Sequence, residues 1–370
     1  MNVPLAALCV LVILAVLLEA FEGVVLPRRI SRPLRLTKYY YLFLWSAWRM
    51  VAKALPRRTR DDFFAAYGPL SLMLIFVTWA NLLVAAFAIL NVALGTPLGL
   101  PAGEEPSTGT YYYLSATTFI TLGFGDIAPR GVMGRTLADI EAGVGFGFLA
   151  IVIGYLPVFY GAFARREIEI GLLDARASTP PTAGELLRRV GDRSDLGGMQ
   201  GLLERWERWS AEILESHLSY PLLLYWRSQH DRQSWVATLA TVLDTSATLI
   251  ALVPCAPDWQ ARLTFAMARH AAVDLRLSLS LRPRPSENRL TPEGEDALIA
   301  LLSGAGVPVK DTPETRSGLR ELRALYEPHL LALADWLNLP LPGFLPDPSA
   351  ADCWRTSSDP EDHFFQPSAR

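Results

Sequence analysis

A run of nine residues near the middle of the chain combines the residue types that let a backbone coordinate a bare cation. The run, T-F-I-T-L-G-F-G-D, spans residues 118–126. Gly123 and Gly125 alternate with the apolar residues Leu122 and Phe124, and glycine adopts backbone conformations that other residues avoid. Such a backbone can aim successive carbonyl oxygens at one ion and replace its hydration shell. The spacing therefore indicates cation coordination by main-chain oxygens, with the two apolar side chains braced away from the ion.

Two apolar stretches flank this run, and each is long enough to cross a membrane. They cover about residues 63–94 and 132–163, whereas a helix needs only about 20 residues to cross roughly 30 Å of hydrocarbon. The segment between them, 111–129, is too short to cross and return as helices. We therefore predict a helix over 111–120 that enters from outside and ends near the membrane middle, where its carbonyl end favours a cation.

A third apolar stretch, residues 3–20, precedes a region that is rich in bases and free of acids. Its basic residues are Arg28, Arg29, Arg32, Arg35, Lys38, Arg49, Lys53, Arg57, Arg58 and Arg60. Such loading is typical of a cytoplasmic face, so we expect the first helix to run from outside to inside. A cleaved signal peptide is the alternative, but no basic segment precedes the apolar run. Residues 39–48 are aromatic and flanked by bases, which predicts a helix in the headgroup layer, with a spanning helix as the alternative.

Beyond Glu167, apolar residues recur at helical spacing, which predicts a soluble helical region. Residues 235–253 are apolar enough to be a fourth membrane-spanning helix. Asp244 and several hydroxyl residues interrupt them, however, which favours a buried core helix. Residues 340–370 are rich in proline and predict a flexible tail. The fold class is therefore all-α, with an N-terminal membrane region, a central membrane region, a helical cytoplasmic region and the tail. These four regions are 1–62, 63–166, 167–339 and 340–370.

Composition and residue spacing exclude several classes of function. The net charge is only −3, which gives no global field that would attract nucleic acid. The three cysteines, Cys9, Cys255 and Cys353, are far apart and predict neither a disulfide framework nor a zinc site. The histidines lack metal-ligand spacing, and no nucleophile and base stand together. We therefore expect no enzyme activity, no resident cofactor or metal, and no nucleic-acid partner.

The run at 118–126 resembles the filter signature of the tetrameric P-loop potassium channels, T-x-x-T-x-G-[Y or F]-G-D, at every position. The matching residues are Thr118, Thr121, Gly123, Phe124, Gly125 and Asp126. The resemblance covers about residues 63–166 and extends to Pro129. The resemblance implies an outer helix, a pore helix, a filter and an inner helix in the central region. The chain also resembles, more weakly, bacterial channels that have a simple two-helix pore.

The resemblance also implies a function and a set of partners. The chain would form a homotetramer in the plasma membrane, with its N-terminus outside, that conducts potassium ions passively through the lipid bilayer. The filter would comprise Thr121, Leu122, Gly123, Phe124 and Gly125, with potassium held at the first four and with Thr118 and Asp126 in support. The cytoplasmic region would be regulatory, and the sequence names no regulatory ligand.

Three positions depart from the family pattern. Ile120 stands where many members carry a second threonine, and Phe124 replaces the commoner tyrosine. Thr117 stands where well-studied members carry a glutamate that pairs with the aspartate after the filter. Tyr113, on the same helix, can donate a hydrogen bond to Asp126 instead.

The resemblance places a gating hinge at Gly145, and Gly154 with Pro157 adds a second potential bend near the inner mouth. The pair at Gly143 and Gly147 has the G-x-x-x-G spacing of close helix packing.

Acids near the run have separate expected roles. Glu104, Glu105 and Asp126 can enrich cations at the outer mouth, although simple solvation explains the glutamates equally well. Glu141 lies in the outer half of the inner helix and can brace the filter from behind.

Two other functions remain as alternatives. One is a weakly selective cation channel, which Ile120 leaves open. The other is a membrane-anchored signalling or scaffold protein, and against it stands the intact run, because an anchor has no use for paired glycines between two spans.

Overall fold

The computed structural model describes residues 1–25, 36–100, 105–192, 196–229, 233–254, 256–285 and 288–346. Within these ranges the fold is all-α, as predicted, and its strands are one antiparallel pair of two residues each, β1 (Leu98–Gly99) and β2 (Ala128–Pro129). The chain divides into two compact units, Met1–Gly161 and Ala162–Arg370. The division lies close to residue 166, where the central region was predicted to end.

The first unit contains three helices that are long and apolar enough to cross a membrane, and two that do not meet both conditions. Its helices are α1 (Val3–Ala20), α2 (Leu36–Ala54), α3 (Arg57–Leu94), α4 (Thr108–Phe119) and the first part of α5 (Gly131–Ala177). The candidate spans are α1, α3 and α5. The three apolar stretches of the sequence are thus helices, and α3 and α5 extend beyond their predicted ends.

Helix α1 lies antiparallel to α3 and buries one narrow face. The main-chain N–H of Asn2 donates to the carbonyl of Ala93 over 2.7 Å, so the start of α1 lies beside the end of α3. The Asn2 side chain accepts from the N–H of Leu5 at 3.2 Å and satisfies a donor of the first turn. The buried residues recur at helical spacing and are Cys9, Ile13, Val16 and Ala20.

Side chains from α1 and α3 cap both ends of α2. Glu19 accepts from the main-chain N–H groups of Leu36 and Thr37 at 3.2 and 3.0 Å, and from the Thr37 hydroxyl at 2.6 Å. At the other end, Arg60 donates to the carbonyl of Ala52 over 3.1 Å. A carboxylate at the N-terminus and a guanidinium at the C-terminus both match the helix dipole. Helix α2 is therefore fixed to both of its neighbours.

Helix α2 has one aromatic face on α3 and one exposed apolar face. The rings of Trp45 and Tyr67 are 4.7 Å apart, and the Tyr67 hydroxyl donates to the carbonyl of Tyr41 over 3.0 Å. Trp48 stacks on Phe63 at 4.2 Å. The exposed large apolar and aromatic residues are Leu36, Tyr39, Phe43, Met50 and Val51. The aromatic segment predicted at 39–48 is thus helical, and its place in the headgroup layer stays a prediction.

The second unit is a helical assembly, as expected for the region after Glu167. Its helices after α5 are α6 (Ala183–Asp192), α7 (Met199–Ser219), α8 (Trp235–Leu252), α9 (Asp258–Ser278), α10 (Pro292–Gly304), α11 (Pro313–Ala324) and α12 (Glu327–Leu337). Hydroxyl side chains of Ser234, Thr291 and Thr312 cap α8, α10 and α11 at their first turns.

Helix α8 is the buried centre of the second unit. It is long and apolar enough to span a membrane, yet 89% of it is buried inside the protein. Even its polar residues Thr241, Asp244 and Thr245 are fully buried. A spanning helix exposes most of its surface to lipid, so this burial favours the core helix that the sequence predicted.

A cluster of four charged residues and one tyrosine lies at this centre. Arg289 Nη2 lies 2.8 Å from Asp244 Oδ1, and Arg289 Nε lies 2.9 Å from Glu327 Oε1. Arg323 Nη2 is 3.2 Å from Glu327 Oε2. The Tyr326 hydroxyl donates to Asp244 over 2.6 Å, and burial together with the Asp244 carboxylate raises the pKa of Tyr326 well above its usual range. Two cations and two anions balance, as a buried ion cluster requires.

The second unit also holds the end of α5 through a buried arginine. The Arg166 guanidinium donates to the carbonyls of Leu223 and Trp226, each over 2.9 Å, and lies 4.9 Å from the centre of the Phe163 ring. His217 Nε2 lies 3.4 Å from Arg166 Nη1. Burial and the Arg166 charge lower the pKa of His217 well below its usual value. His217 is therefore a neutral core residue beside a satisfied guanidinium.

The start of the predicted flexible tail is packed. Phe344 is buried, its carbonyl accepts from the N–H of Gly184 over 2.8 Å, and its ring lies 5.4 Å from the Arg289 guanidinium. The prediction of a tail from residue 340 was therefore wrong for 340–346, because an aromatic anchor ties this segment to the charged cluster. Residues 347–370 of that tail lie outside the described residues.

Candidate ion-coordinating loop

Helix α4 positions the glycine-containing loop, and its start is fixed by a reciprocal cap. The Ser107 hydroxyl accepts from the N–H of Thr110 at 3.2 Å, while the Thr110 hydroxyl accepts from the N–H of Ser107 at 3.1 Å. This capping box satisfies two donors that a helix start leaves free. The helix begins at Thr108 and ends at Phe119, close to the predicted 111–120.

The first residues of the loop turn back and bind the end of α4. The N–H of Thr121 donates to the carbonyl of Thr118 over 3.0 Å, and the N–H of Leu122 donates to the carbonyl of Thr117 over 2.8 Å. The N–H of Gly123 reaches the same Thr117 oxygen at 3.4 Å. Because these N–H groups face the helix, the opposite side of the loop is left to its carbonyls.

The sign of φ alternates along the loop. Thr121, Gly123 and Gly125 have φ values of 57°, 57° and 80°, whereas Leu122 and Phe124 between them keep negative φ. Alternating handedness turns successive peptide groups the same way, so that their like atoms share one side. Nothing lies within 4 Å of an ideal Cβ at either glycine, so the backbone conformation, and not crowding, favours glycine there.

Large apolar side chains around the loop have little cover within one chain. Ile120 is 62% exposed, Leu122 49% and Phe124 67%. Three such neighbouring residues form an apolar surface of the kind that marks an interaction site. Within one chain, these three side chains therefore remain largely uncovered.

The far end of the loop is held to α4 by a tyrosine. The Tyr113 hydroxyl donates to Asp126 Oδ2 over 3.0 Å. The hydroxyl of Thr117, which stands where the channels that the sequence resembles carry a glutamate, donates to the carbonyls of Tyr113 and Leu114 on its own helix, at 3.0 Å each. Tyr113, and not Thr117, thus links the helix to the aspartate. Thr118 contributes its carbonyl to the loop's first turn.

A pair of short strands joins the segments on either side of α4 and its loop. In the β1–β2 pair, Leu98 lies opposite Pro129. The N–H of Arg130 donates to the carbonyl of Pro97 over 2.8 Å, and the Tyr111 hydroxyl donates to the carbonyl of Thr96 over 2.7 Å. The two arms that flank α4 and its loop are thereby joined. Glu105 is exposed, and Glu104 lies outside the described residues.

Two contacts behind α4 fix it against α5. Glu141 is buried and is hydrogen-bonded to Ser115 of α4, whose hydroxyl also lies 2.9 Å from the carbonyl oxygen of Val84 in α3. One turn further along α5, a Cβ placed on Gly145 would lie 1.8 Å from the carbonyl oxygen of Phe119. The end of α4 therefore touches the α5 backbone directly, with no room for a side chain.

The close-packed glycine of α5 differs from the predicted pair. Nothing lies within 4 Å of an ideal Cβ at Gly143 or Gly147, so neither glycine makes a close helix contact within one chain, and their role in helix packing stays a prediction. Gly145 makes the close contact instead. Gly154 is also open, and α5 continues unbroken through Pro157. The hinge roles of Gly145, Gly154 and Pro157 stay predictions.

Sequence reasoning missed Ser115 and the Phe119 contact. Ser115 and Glu141 are 26 residues apart, and a lone serine in an apolar helix carries no signal of its own. Across the described ranges, no group of three or more His, Cys, Asp or Glu residues is arranged to hold a metal ion.

Residues 71–160 match the family model Ion_trans_2, described as an ion channel. The match includes most of α3, all of α4 with its loop, and the first part of α5. The chain is also 23% identical over 183 residues to a protein of Bacillus subtilis (strain 168) named uncharacterized membrane protein YdjJ. That alignment covers 49% of this chain and 52% of the relative, so the chain spans about half the length of the curated relative that it matches.

No solved structure matches the chain significantly. The chain thus carries an ion channel domain within a membrane protein.

Proposed function

We propose that four copies of this chain form a potassium-selective channel whose filter is Thr121 to Gly125. The alternating φ signs of this segment are the observation that carries the proposal. They turn the carbonyls of consecutive residues toward one side, and rings of such carbonyls replace the hydration shell of K⁺. The ion channel match over 71–160 supports conduction itself.

The filter's chemistry favours a monovalent cation of low charge density. Potassium is held by neutral oxygens of Thr121, Leu122, Gly123 and Phe124. The hydroxyl of Thr121 adds an oxygen at the inner end. The carbonyl end of α4, which stops at Phe119, adds the negative end of a helix dipole below the filter. No carboxylate is needed within the coordinating run, and Asp126 lies just beyond it.

The filter also supports the tetramer. One chain supplies one strand of carbonyls, which is a quarter of a ring, so four chains must meet on one axis. The exposed side chains of Ile120, Leu122 and Phe124 are then covered by neighbouring copies. On α5, Phe146 and Ile153 are similarly exposed. An apolar face of this extent is expected to pack against other copies or lipid.

The charge distribution supports an orientation in the plasma membrane. The acid-free basic region at 28–60 lies on the cytoplasmic side, which places the start of α1 and the filter mouth outside. Helix α2 lies in the headgroup layer, with its exposed apolar residues toward the lipid tails. The second unit is cytoplasmic and tunes opening through α5, where Gly154 and Pro157 provide a bend near the inner mouth.

Potassium selectivity is tested with purified protein in liposomes. Under opposed potassium and sodium gradients, we expect the reversal potential to follow the potassium gradient, because rings of carbonyl oxygens favour the larger and more weakly hydrated ion. Protein-free liposomes are the control. Equal permeability to the two ions would support the weakly selective cation channel instead, and the absence of any ion flux would favour the anchored scaffold.

The assembly is tested separately by native mass spectrometry from mild detergent. We expect a mass of four 40.8 kDa chains, since one chain contributes a single filter strand. Cross-linking in intact membranes checks that detergent has not changed the assembly. A monomer or dimer found by both methods rejects the tetramer.

A further inference from the structure

The Ser115 hydroxyl joins three helices behind the filter. Its oxygen lies 2.9 Å from the carbonyl oxygen of Val84 in α3 and is also hydrogen-bonded to Glu141 Oε1 in α5. Ser115 is 0% exposed and Glu141 is 1% exposed. The contact is thus sealed within the helices, and its hydrogen bonds must be made from the hydrogens that these three groups carry.

Counting those hydrogens decides the state of Glu141. A serine hydroxyl carries one hydrogen, and a main-chain carbonyl can only accept. An ionised carboxylate can also only accept, so with Glu141 ionised one hydrogen would serve two acceptors. With Glu141 protonated, its O–H donates to Ser115 Oγ and the Ser115 O–H donates to Val84, so both contacts are complete.

We infer that Glu141 carries a proton in the folded channel and acts as a positioning residue for the pore helix α4. The surroundings agree with a neutral group, since no ion pair to Glu141 occurs among the described residues and an unpaired charge within a membrane is costly. The chain of hydrogen bonds then runs from α5 through α4 to α3 in one direction.

The contact of Ser115 with Glu141 and Val84, here called the brace, lies close to the filter and can therefore affect it. Ser115 lies one turn before Phe119, where the close approach of Gly145 makes the second contact between α4 and α5. Helix α4 is therefore held at two points, one by hydrogen bonds and one by direct backbone contact. Both points precede Thr121, where the filter begins. Loss of the first leaves α4 free to shift and misalign the filter's carbonyls. This consequence for conduction rests on the proposed channel function.

Two substitutions separate a neutral brace from a charged one. Glu141→Gln keeps a neutral group with a donor, since its amide N–H can donate to Ser115, whereas Glu141→Leu keeps the bulk and removes every polar atom. We expect Glu141→Gln to retain the potassium-to-sodium permeability ratio. We expect Glu141→Leu and Ser115→Ala to lower that ratio by about fivefold or more, the factor expected for a lost buried hydrogen bond.

If Glu141→Gln behaves like Glu141→Leu, the group that positions α4 is an ionised carboxylate and the inference is wrong. An unchanged ratio in Glu141→Leu also overturns the positioning role.

Infrared spectroscopy tests the proton without any ion flux. The spectrum of the wild-type protein in liposomes near neutral pH, minus that of Glu141→Gln, should contain the C=O stretch of a protonated carboxylic acid. Glu212→Gln is the matched control, because Glu212 is exposed on α7 and should contribute carboxylate bands. Carboxylate bands alone from Glu141 overturn the inference even if the protein is a channel. The carboxylic acid band should appear even if the protein conducts no potassium. Failure of the inference about Glu141 can therefore be distinguished from failure of the proposed channel function.

Discussion

Replacing Gly123 or Gly125 by alanine is expected to abolish potassium flux while leaving membrane insertion intact. Their φ values of 57° and 80° lie where an added Cβ meets the following carbonyl. The cost is roughly 1–2 kcal/mol per residue, and each substitution enters the proposed ring four times, so the conducting backbone loses at least about a thousandfold in population. The relaxed alternative turns carbonyls away from the ion, and water cannot replace them inside a narrow filter.

Flux in liposomes, measured alongside native mass, checks this result. Gly109→Ala is the matched control, because Gly109 lies in the first turn of α4 with negative φ and has room for a Cβ, its nearest neighbour being the Ser107 hydroxyl at 3.5 Å. This variant should insert, assemble and conduct as the parent does. Flux that survives in Gly123→Ala would mean that the ions take another route.

The second large effect is expected from Gly145→Ala. The added Cβ would lie 1.8 Å from the carbonyl oxygen of Phe119 and 2.7 Å from its carbonyl carbon. Both are backbone atoms, so no rotamer change relieves the clash and α4 must move away from α5. Overpacking of this kind typically costs about 1–3 kcal/mol per site. We expect loss of potassium selectivity or of the assembled channel, because the displaced residue, Phe119, lies two residues before the proposed filter.

Gly143→Ala controls for the helix itself. Gly143 is on the same helix with nothing within 4 Å of its Cβ, and alanine is the better helix former. Ion flux and native mass of the two variants are compared side by side. The comparison also separates packing from hinge motion. A hinge role alone predicts an intact, selective Gly145→Ala channel with altered open probability, and a Gly145→Ala channel indistinguishable from the parent would contradict both roles.

Features that depend on local patterns were predictable from the sequence. Apolar length identified the helices that are long enough to cross a membrane, and the glycine spacing identified the loop, since both properties are carried by neighbouring residues. The interruption at Asp244 correctly favoured a core helix. The helix ends were less accurate, as α3 and α5 continue past their apolar segments into charged turns. Hydropathy reports burial in lipid and says little about where a helix stops.

Features that depend on contacts between distant segments were not predictable. Packing of α4 against α5 brings Ser115 to Glu141 and Phe119 to Gly145. The sequence around these residues does not indicate which residue each one contacts. The G-x-x-x-G spacing did not indicate the close contact at Gly145, because spacing alone does not say which face of a helix meets a neighbour within the chain. The partner of Asp244 was equally hidden, because Arg289 lies 45 residues further along the chain.

The charged cluster in the second unit also constrains how this core can evolve. Its two arginines and two carboxylates cancel, so a single substitution at any of them strands a charge in an apolar interior. A change at one of these positions is therefore expected to need a compensating change at its partner, or replacement of all four side chains by apolar ones. We expect Asp244, Arg289, Arg323 and Glu327 to change together, and the residues around them to vary independently.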